Sequence, residues 1–214
     1  MGVRDLSRRA LATTLSALIA AAGVLVAAGA VAQQSGAFTS AERHRLISGE
    51  LVARPLSRTR GQRLHYVGGT SFQRIPASQE RVWAIVNDLT EYRHLVPGAA
   101  EARQVEDRAD ERVVYIRHQY AMVSIGYHLI ATVQPDTHTI RFHLDGSRSN
   151  DIEAMHGYIR VDSFRGDESM VTWGVRGGSS NAFLINVFRP VMDDWSLLLP
   201  SCLRSRAAGG SDCG

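Results

Sequence analysis

Lysine is absent from this chain, because all 24 residues in the lysine-plus-arginine count are arginine. Without a lysine amine the chain can neither form a Schiff base with a carbonyl substrate nor supply the phosphate-binding lysine of a P-loop. The composition therefore excludes both classes of site.

Cysteine is scarce as well. Cys202 and Cys213 are the only two, and both fall close to the C-terminus. Their spacing matches no metal-binding motif, so we expect no metal site. In an oxidising compartment they would close a short local disulfide, and the sequence leaves open whether they pair.

A strong excess of charge is also missing. The formal net charge is +3, and it falls to +1 if residues 1–32, with three arginines and Asp5, are removed. So small a charge produces no extended field that would attract nucleic acid. We therefore expect no nucleic-acid partner.

The N-terminus has the layout of an export signal. Three arginines precede an uncharged stretch over residues 10–32, which ends in small residues. This pattern predicts a signal peptide over residues 1–32, cleaved at about Ala32/Gln33, and a location in the periplasm or cell envelope. Because roughly 20 apolar residues span a bilayer, an uncleaved membrane anchor is the alternative.

Three regions follow the predicted signal. Residues 33–63 are a polar extension with one short helix, where Thr39 and Glu42 fit a capping box. This extension is either packed on the domain or a spacer from a membrane, so membrane proximity is part of the expectation. Residues 64–200 form the predicted globular domain, and residues 201–214 are predicted to be a flexible tail.

The domain begins with a strand pattern over about residues 64–75, which Pro76 ends. Ser78 then offers an N-cap for a helix with one buried face. The apolar residues of that face are Val82, Ile85, Val86 and Leu89. From about residue 99 to 177, short polar turns separate successive strands, which predicts an antiparallel meander.

The faces of this meander follow from the pairing that keeps apolar side chains together, because a slip of one residue exchanges the two faces. One face becomes apolar and aromatic throughout. The three predicted hairpins pair Tyr120 with Ile125 across the loop 121–124, Val133 with His138 across the loop 134–137, and Val161 with Val171 across a turn around Gly166.

A terminal helix over about residues 181–199 is predicted to cover that face, with Ser179 or Ser180 as its N-cap. Its apolar stripe is Phe183, Val187, Val191 and Trp195. Pro190 is expected to kink or divide the helix. The predicted fold class is α+β, a curved antiparallel sheet wrapped around a long C-terminal helix.

Three segments resemble the START-like helix-grip superfamily, also called the polyketide cyclase/dehydrase and lipid transport (SRPBCC) superfamily. They are residues 75–83 (IPASQERVW), 88–92 (DLTEY) and 95–98 (LVPG). The similarity covers about residues 70–199, and the coenzyme Q-binding START proteins look closest. The resemblance implies a cavity between sheet and terminal helix that holds a lipid, quinone or polyketide-like molecule.

The inner face places a few polar groups, His118, Tyr120 and Tyr127, among apolar side chains, which is how small-molecule sites orient a ligand. The predicted ligand-binding residues are Ile116, His118, Tyr120, Tyr127, Leu129, Phe142, Met155, Ile159, Trp173, Phe183 and Val187. We predict an exported binding protein for a hydrophobic small molecule, without a cofactor and without catalytic residues.

The same residues allow other interpretations. A cyclase- or dehydratase-like enzyme would use His118 as general base with a tyrosine as acid, but no carboxylate on that face orients the imidazole. His128 and His143 are predicted to lie opposite each other on the outer face, where a solvated surface is favoured over a metal site. A third possibility is a domain without a cavity that packs against a partner.

Overall fold

The computed structural model describes residues 36–57, 63–108, 110–210 and 213. The predicted signal peptide over residues 1–32 lies outside these ranges, as does part of the extension. None of the helices within the described residues has the length and apolar character needed to cross a bilayer.

One antiparallel sheet of eight strands forms the body of the described fold, with the strand order β1-β2-β8-β7-β6-β5-β4-β3. The strands are β1 Val52–Pro55, β2 His65–Ile75, β3 Ala99–Arg108, β4 Glu111–Tyr120, β5 Val123–Gln134, β6 Thr139–Leu144, β7 Ala154–Ser163 and β8 Ser169–Ser179. The predicted meander is confirmed. It runs from β3 to β8, and β8 then pairs with β2.

Among the described residues, five α-helices accompany the sheet: α1 Ser40–Ile47, α2 Gln79–Asn87, α3 Tyr92–Leu95, α4 Ala182–Trp195 and α5 Leu199–Ala207. Ser78 caps α2, as predicted, by accepting a hydrogen bond from the Arg81 backbone. Val82 and Val86 of that helix are fully buried. Both the start of this helix and its buried face therefore agree with the prediction.

The described part of the extension is packed on the sheet. Both hydrogen bonds of the predicted capping box are present between Thr39 and Glu42, and β1 pairs with β2. The Glu42 carboxylate also binds the Arg54 guanidinium at 2.8 Å, and this contact is the main cause that lowers the pKa of Glu42 to about 2. A small apolar cluster, separate from the main core, holds the extension on the sheet. It consists of Leu46, Val52 and Phe72, against which Phe38 and Met170 pack.

The structure confirms one of the three predicted hairpin registers and displaces the other two. The pairing of Val161 with Val171 is confirmed. In the first hairpin, Tyr120 pairs with Val123 instead of Ile125, because a two-residue turn with Ala121 at a φ of 52° closes it.

The second hairpin is displaced in the same way, since Val133 pairs with Ile140 instead of His138. A short 3-10 turn over Pro135–Thr137 and the left-handed backbone of His138 take up the extra residues. Both displacements are of two residues, so every side chain keeps its predicted face. The inner face is accordingly apolar as expected.

The C-terminal region departs from the prediction. The terminal helix α4 is capped by Asn181 and runs through Pro190, and the break falls after it, before α5. The predicted flexible tail from 201 onward is wrong for residues 201–207, which belong to α5. Cys202 and Leu203 are buried there, because α5 packs against β2 and α2.

Cys202 and Cys213 form a disulfide. Cys202 lies in α5 within the folded domain, whereas the sequence placed both cysteines in an unpacked tail. The bridge therefore ties Cys213 to the buried face of α5.

Leu203 tests whether α5 is an integral part of the core. It is fully buried, so we expect Leu203→Ala to lower the free energy of unfolding by about 2–5 kcal/mol, through lost apolar burial and the cavity left behind. Chemical denaturation measures this. The matched control is Ser205→Ala on the exposed side of the same helix, which should change the stability by less than about 0.5 kcal/mol. Equal, small effects of both variants would mean that α5 is not packed.

Candidate functional site

Three neighbouring apolar chambers lie against the inner face of the sheet, two of them under α4 and the third under α2, α3 and the start of α5. Their volumes are about 70, 60 and 50 Å³, each several times the roughly 10–15 Å³ that one water molecule needs. They share lining residues, so they form one row. The sheet-to-helix space is therefore not filled by side chains, which disfavours the third sequence interpretation.

We call them the outer, middle and inner chambers. The outer chamber lies under α4, and its wall includes the exposed His65 together with Ile125, Met155, Leu184, Phe188 and Met192. The middle chamber shares Val67, His118 and Tyr127 with it. The inner chamber is bounded by α2, α3 and the start of α5, and its wall includes Ile116, Leu129, Phe142, Ile159 and Trp173.

The polar centre of this cavity is the pair His118 and Tyr127. His118 Nε2 and Tyr127 Oη lie 2.8 Å apart in a hydrogen bond, and both side chains are about 95% buried. Both line the outer and middle chambers. In β4 and β5 the alternation of the strands turns both residues to the inner face.

The environment keeps both groups neutral. Burial lowers the pKa of His118 from its ordinary 6.5 to about 4, and the carbonyl groups of Pro97 and Gly98 oppose this shift. Burial also raises the pKa of Tyr127 well above its usual range. At neutral pH the pair is thus an uncharged imidazole and an uncharged phenol.

His118 Nδ1 is buried and has no hydrogen-bond partner of normal geometry among the described residues. The backbone of Pro97 and Gly98, in the loop after α3, lies near the imidazole. The pair is therefore incompletely satisfied, and such buried atoms are where ligands or bound waters act.

Trp195 and Trp173 hold the far end of α4 against the sheet. The Trp173 indole nitrogen donates to the Ser196 carbonyl at 2.6 Å, and its ring stacks on Phe142. The Trp195 ring covers Gly98, whose φ of +69° and lack of a side chain allow the contact, because an added Cβ would lie 2.1 Å from the indole. This end of the helix is fixed over the middle chamber.

Most of the predicted site residues line the chambers. Those that do are Ile116, His118, Tyr127, Leu129, Phe142, Met155, Ile159 and Trp173. The structure brings these eight together. Whether they contact a ligand stays a prediction.

Three predicted residues do not line any chamber. Tyr120 is 38% exposed at the end of β4, and Phe183 is 61% exposed on the first turn of α4. Val187 packs against the core from α4 without reaching the cavity wall. Of the predicted stripe on α4, Trp195 lines the middle chamber, whereas the outer chamber is lined by the adjacent stripe Leu184, Phe188 and Met192.

Sequence reasoning also missed Tyr92 of α3, which supplies a hydroxyl-bearing ring to the wall of the inner chamber. Burial raises its pKa to about 12. Its position at the end of the DLTEY segment offered a signal, since that segment carried the family resemblance, but no periodicity pointed it inward.

The outer-face histidines are arranged differently from the prediction. His143 pairs with His156 across β6 and β7, whereas His128 contacts Asn150. Within the part of the chain that the structure describes, no cluster of His, Cys, Asp and Glu is arranged to hold a metal ion.

His118 makes stability depend on pH. Its pKa is lower in the folded state than in the unfolded state, so its contribution is fully present above about pH 6.5 and is lost as the pH falls towards 4. Between pH 7 and 4.5 we expect wild type to lose about 2 kcal/mol of unfolding free energy relative to His118→Phe, which lacks the titrating ring. Urea denaturation at both pH values measures this. A constant difference between the two proteins would show that His118 is not held neutral.

Known proteins resemble this chain in structure but not detectably in sequence. No protein-family model matches the chain. A search of curated proteins found no match. Solved structures do match, with 223 chains found to be similar.

A protein of Thermus thermophilus is 14% identical with a TM-score of 0.55, covering 65% of this chain and 96% of its own. A STAR-related lipid transfer protein from Xanthomonas axonopodis is 16% identical with a TM-score of 0.52, covering 73% and 98%. The Zhui aromatase/cyclase of Streptomyces sp. R1128 is 16% identical with a TM-score of 0.50, covering 69% and 99%. These similarities confirm the predicted architecture: the chain has the START-like helix-grip fold.

Proposed function

We propose that this domain binds one uncharged, largely apolar small molecule in the three chambers, and that it is a binding protein. The observation that carries the proposal is the cavity itself, a row of apolar chambers with one buried neutral pair, His118 and Tyr127, at its centre. Small-molecule sites typically combine an apolar wall with a few placed polar groups.

Burial of apolar surface supplies the affinity. Each Å² of apolar ligand surface removed from water contributes about 25 cal/mol before the costs of association are subtracted. The inner chamber offers the most apolar wall, since Tyr92 carries the only side-chain hydroxyl among its described lining residues. A ligand that reaches from the outer into the inner chamber therefore gains most.

Charged ligands are disfavoured. No Arg, Asp or Glu side chain is among the described residues that line the chambers, and both buried polar groups stay neutral. An ionised carboxylate placed there would lose its hydration without gaining a counter-ion, which costs several kcal/mol or more. We therefore propose a lipid, quinone or polyketide-like ligand without a charge in its buried part.

The comparisons support this class. A lipid transfer protein and an aromatase/cyclase share the fold. The resemblance of the sequence to coenzyme Q-binding START proteins makes a quinone or quinol one specific candidate. We also propose that the protein is exported to the periplasm or cell envelope, on the strength of the signal-like N-terminal sequence alone.

The second candidate is a cyclase- or dehydratase-like enzyme in the same cavity. The observation that favours it is the neutral imidazole of His118, hydrogen-bonded to a phenol and thus available as a base. Against it, no carboxylate among the described lining residues orients the imidazole. If His118→Ala abolishes turnover of a bound ligand, the enzyme is favoured, and if it only weakens retention, the binding protein is favoured.

A matched pair of competitors tests the proposal. We expect N-phenyl-1-naphthylamine, an uncharged fluorescent probe, to bind, 1-hexadecanol to displace it, and palmitate to displace it at least about tenfold less well, because the carboxylate must be desolvated. Fluorescence titration measures all three. Equal competition by palmitate would contradict an uncharged site.

Two phenylalanine substitutions, one in the cavity wall and one outside it as the control, test whether the probe binds in the cavity. Val67 lines the outer and middle chambers, so Val67→Phe should fill part of the cavity and weaken probe binding several-fold. Ile47 is 55% exposed on α1 and lines no chamber, so Ile47→Phe should leave binding unchanged. The same loss in both variants would place the probe outside the cavity.

A further inference from the structure

One end of the cavity is closer to solvent than the rest. Among the described residues that line the three chambers, His65 of the outer chamber is the only exposed one. His65 begins β2 and pairs with Ser179, the last residue of β8. The described walls of the middle and inner chambers consist of buried and half-buried residues. The wall residues therefore point to the connection between β8 and α4 as the side from which solvent is reached.

The start of α4 covers this end of the cavity. Leu184 and Ile185, in the first turns of α4, line the outer chamber, and so does Ile152 from the loop between β6 and β7. Neither the helix nor the loop is a strand of the sheet. The start of the helix can therefore move away from the loop while every strand pairing stays intact.

A carboxylate joins these two segments. Glu153 follows Ile152 and accepts two hydrogen bonds from Ser180, one from its backbone nitrogen at 3.0 Å and one from its hydroxyl. Ser180 directly precedes Asn181, the residue that caps α4. Glu153 is itself anchored, because its backbone nitrogen donates to the Gly178 carbonyl at 3.1 Å. The contact between Glu153 and Ser180 therefore holds the first turn of the helix against the loop.

The two ends of α4 are held by different kinds of contact. Trp173 and Trp195 hold the far end, through an indole hydrogen bond to the backbone and a ring packed on Gly98. At the near end both Glu153 and Ser180 are exposed. Segments held by solvent-exposed hydrogen bonds are the ones that open locally at the lowest free energy. We therefore expect the near end to open more often than the far end.

We infer that the ligand enters and leaves beneath the start of α4, beside His65, and that Glu153 is the positioning residue that sets the rate of this exchange. This inference rests on the proposed function and adds the route to it. Glu153 is not among the residues that line the chambers. Its removal therefore lowers the barrier to opening and leaves the contacts of the bound ligand in place, so association and dissociation become faster together.

Stopped-flow fluorescence of N-phenyl-1-naphthylamine with the full-length protein measures both rate constants. We expect Glu153→Ala to raise each of them about fivefold, the equivalent of about one hydrogen bond, and to change the Kd by less than about twofold. Ser180→Ala removes only the hydroxyl, so it should raise both rates about twofold and add nothing to Glu153→Ala. Glu168, in the turn between β7 and β8, binds Arg74 at 3.2 Å and lines no chamber, so Glu168→Ala is the matched control.

A substitution at the entry route should act in the opposite direction. His65→Trp places a larger ring at the exposed end of the outer chamber, and it should slow both association and dissociation several-fold. Ile47 is exposed on α1 and lines no chamber, so Ile47→Trp should leave both rates unchanged.

Unchanged rates in Glu153→Ala, or faster dissociation with unchanged association, would overturn the inference, because the contact would then not control entry. Equal rates in wild type and His65→Trp would overturn it too, since the route would lie elsewhere. In each of these cases the probe still binds and the proposed function stands. Failure of the wild-type protein to bind the naphthylamine probe would instead overturn the proposed function.

Discussion

An apolar sheet face covered by helices is the constraint on which the rest of this structure depends. The inner face of β4 to β8 is buried and apolar, and α4 together with α2, α3 and α5 covers it without filling the space beneath. The Trp173–Ser196 hydrogen bond and the contact of Trp195 with Gly98 fix the far end of α4. Because protein interiors are otherwise close-packed, the row of unfilled chambers is the observation behind the proposed ligand.

The buried pair His118 and Tyr127 follows from the same constraint. Low polarity around the sheet face removes the charge from both groups, and the carbonyl groups of Pro97 and Gly98 in the loop after α3 act against that effect on the imidazole. A polar group in an apolar wall is costly unless it is hydrogen-bonded, and here one bond is internal and further bonding capacity is left over. Fold and binding chemistry are thus linked through one loop, which contains both Pro97 and Gly98.

Local signals in the sequence predicted much of this architecture. The capping box at Thr39, the cap at Ser78 and the register of the third hairpin depend on neighbouring residues, and all three are confirmed. The other two registers depend on left-handed backbone at Ala121 and His138, which no residue type there demands. The α5 helix was missed because its burial comes from contacts with β2 and α2, distant in sequence. Phe183 was predicted to face the cavity because two adjacent apolar stripes run along α4, and the sequence pattern does not distinguish between them. The structure leaves Phe183 exposed.

The most direct test of the binding account is native mass spectrometry of the processed protein, followed by extraction and identification of any bound compound. The account predicts a stoichiometric, uncharged apolar molecule that is lost on denaturation. Protein that is empty when isolated and that takes up no apolar compound, despite an intact fold, would contradict it.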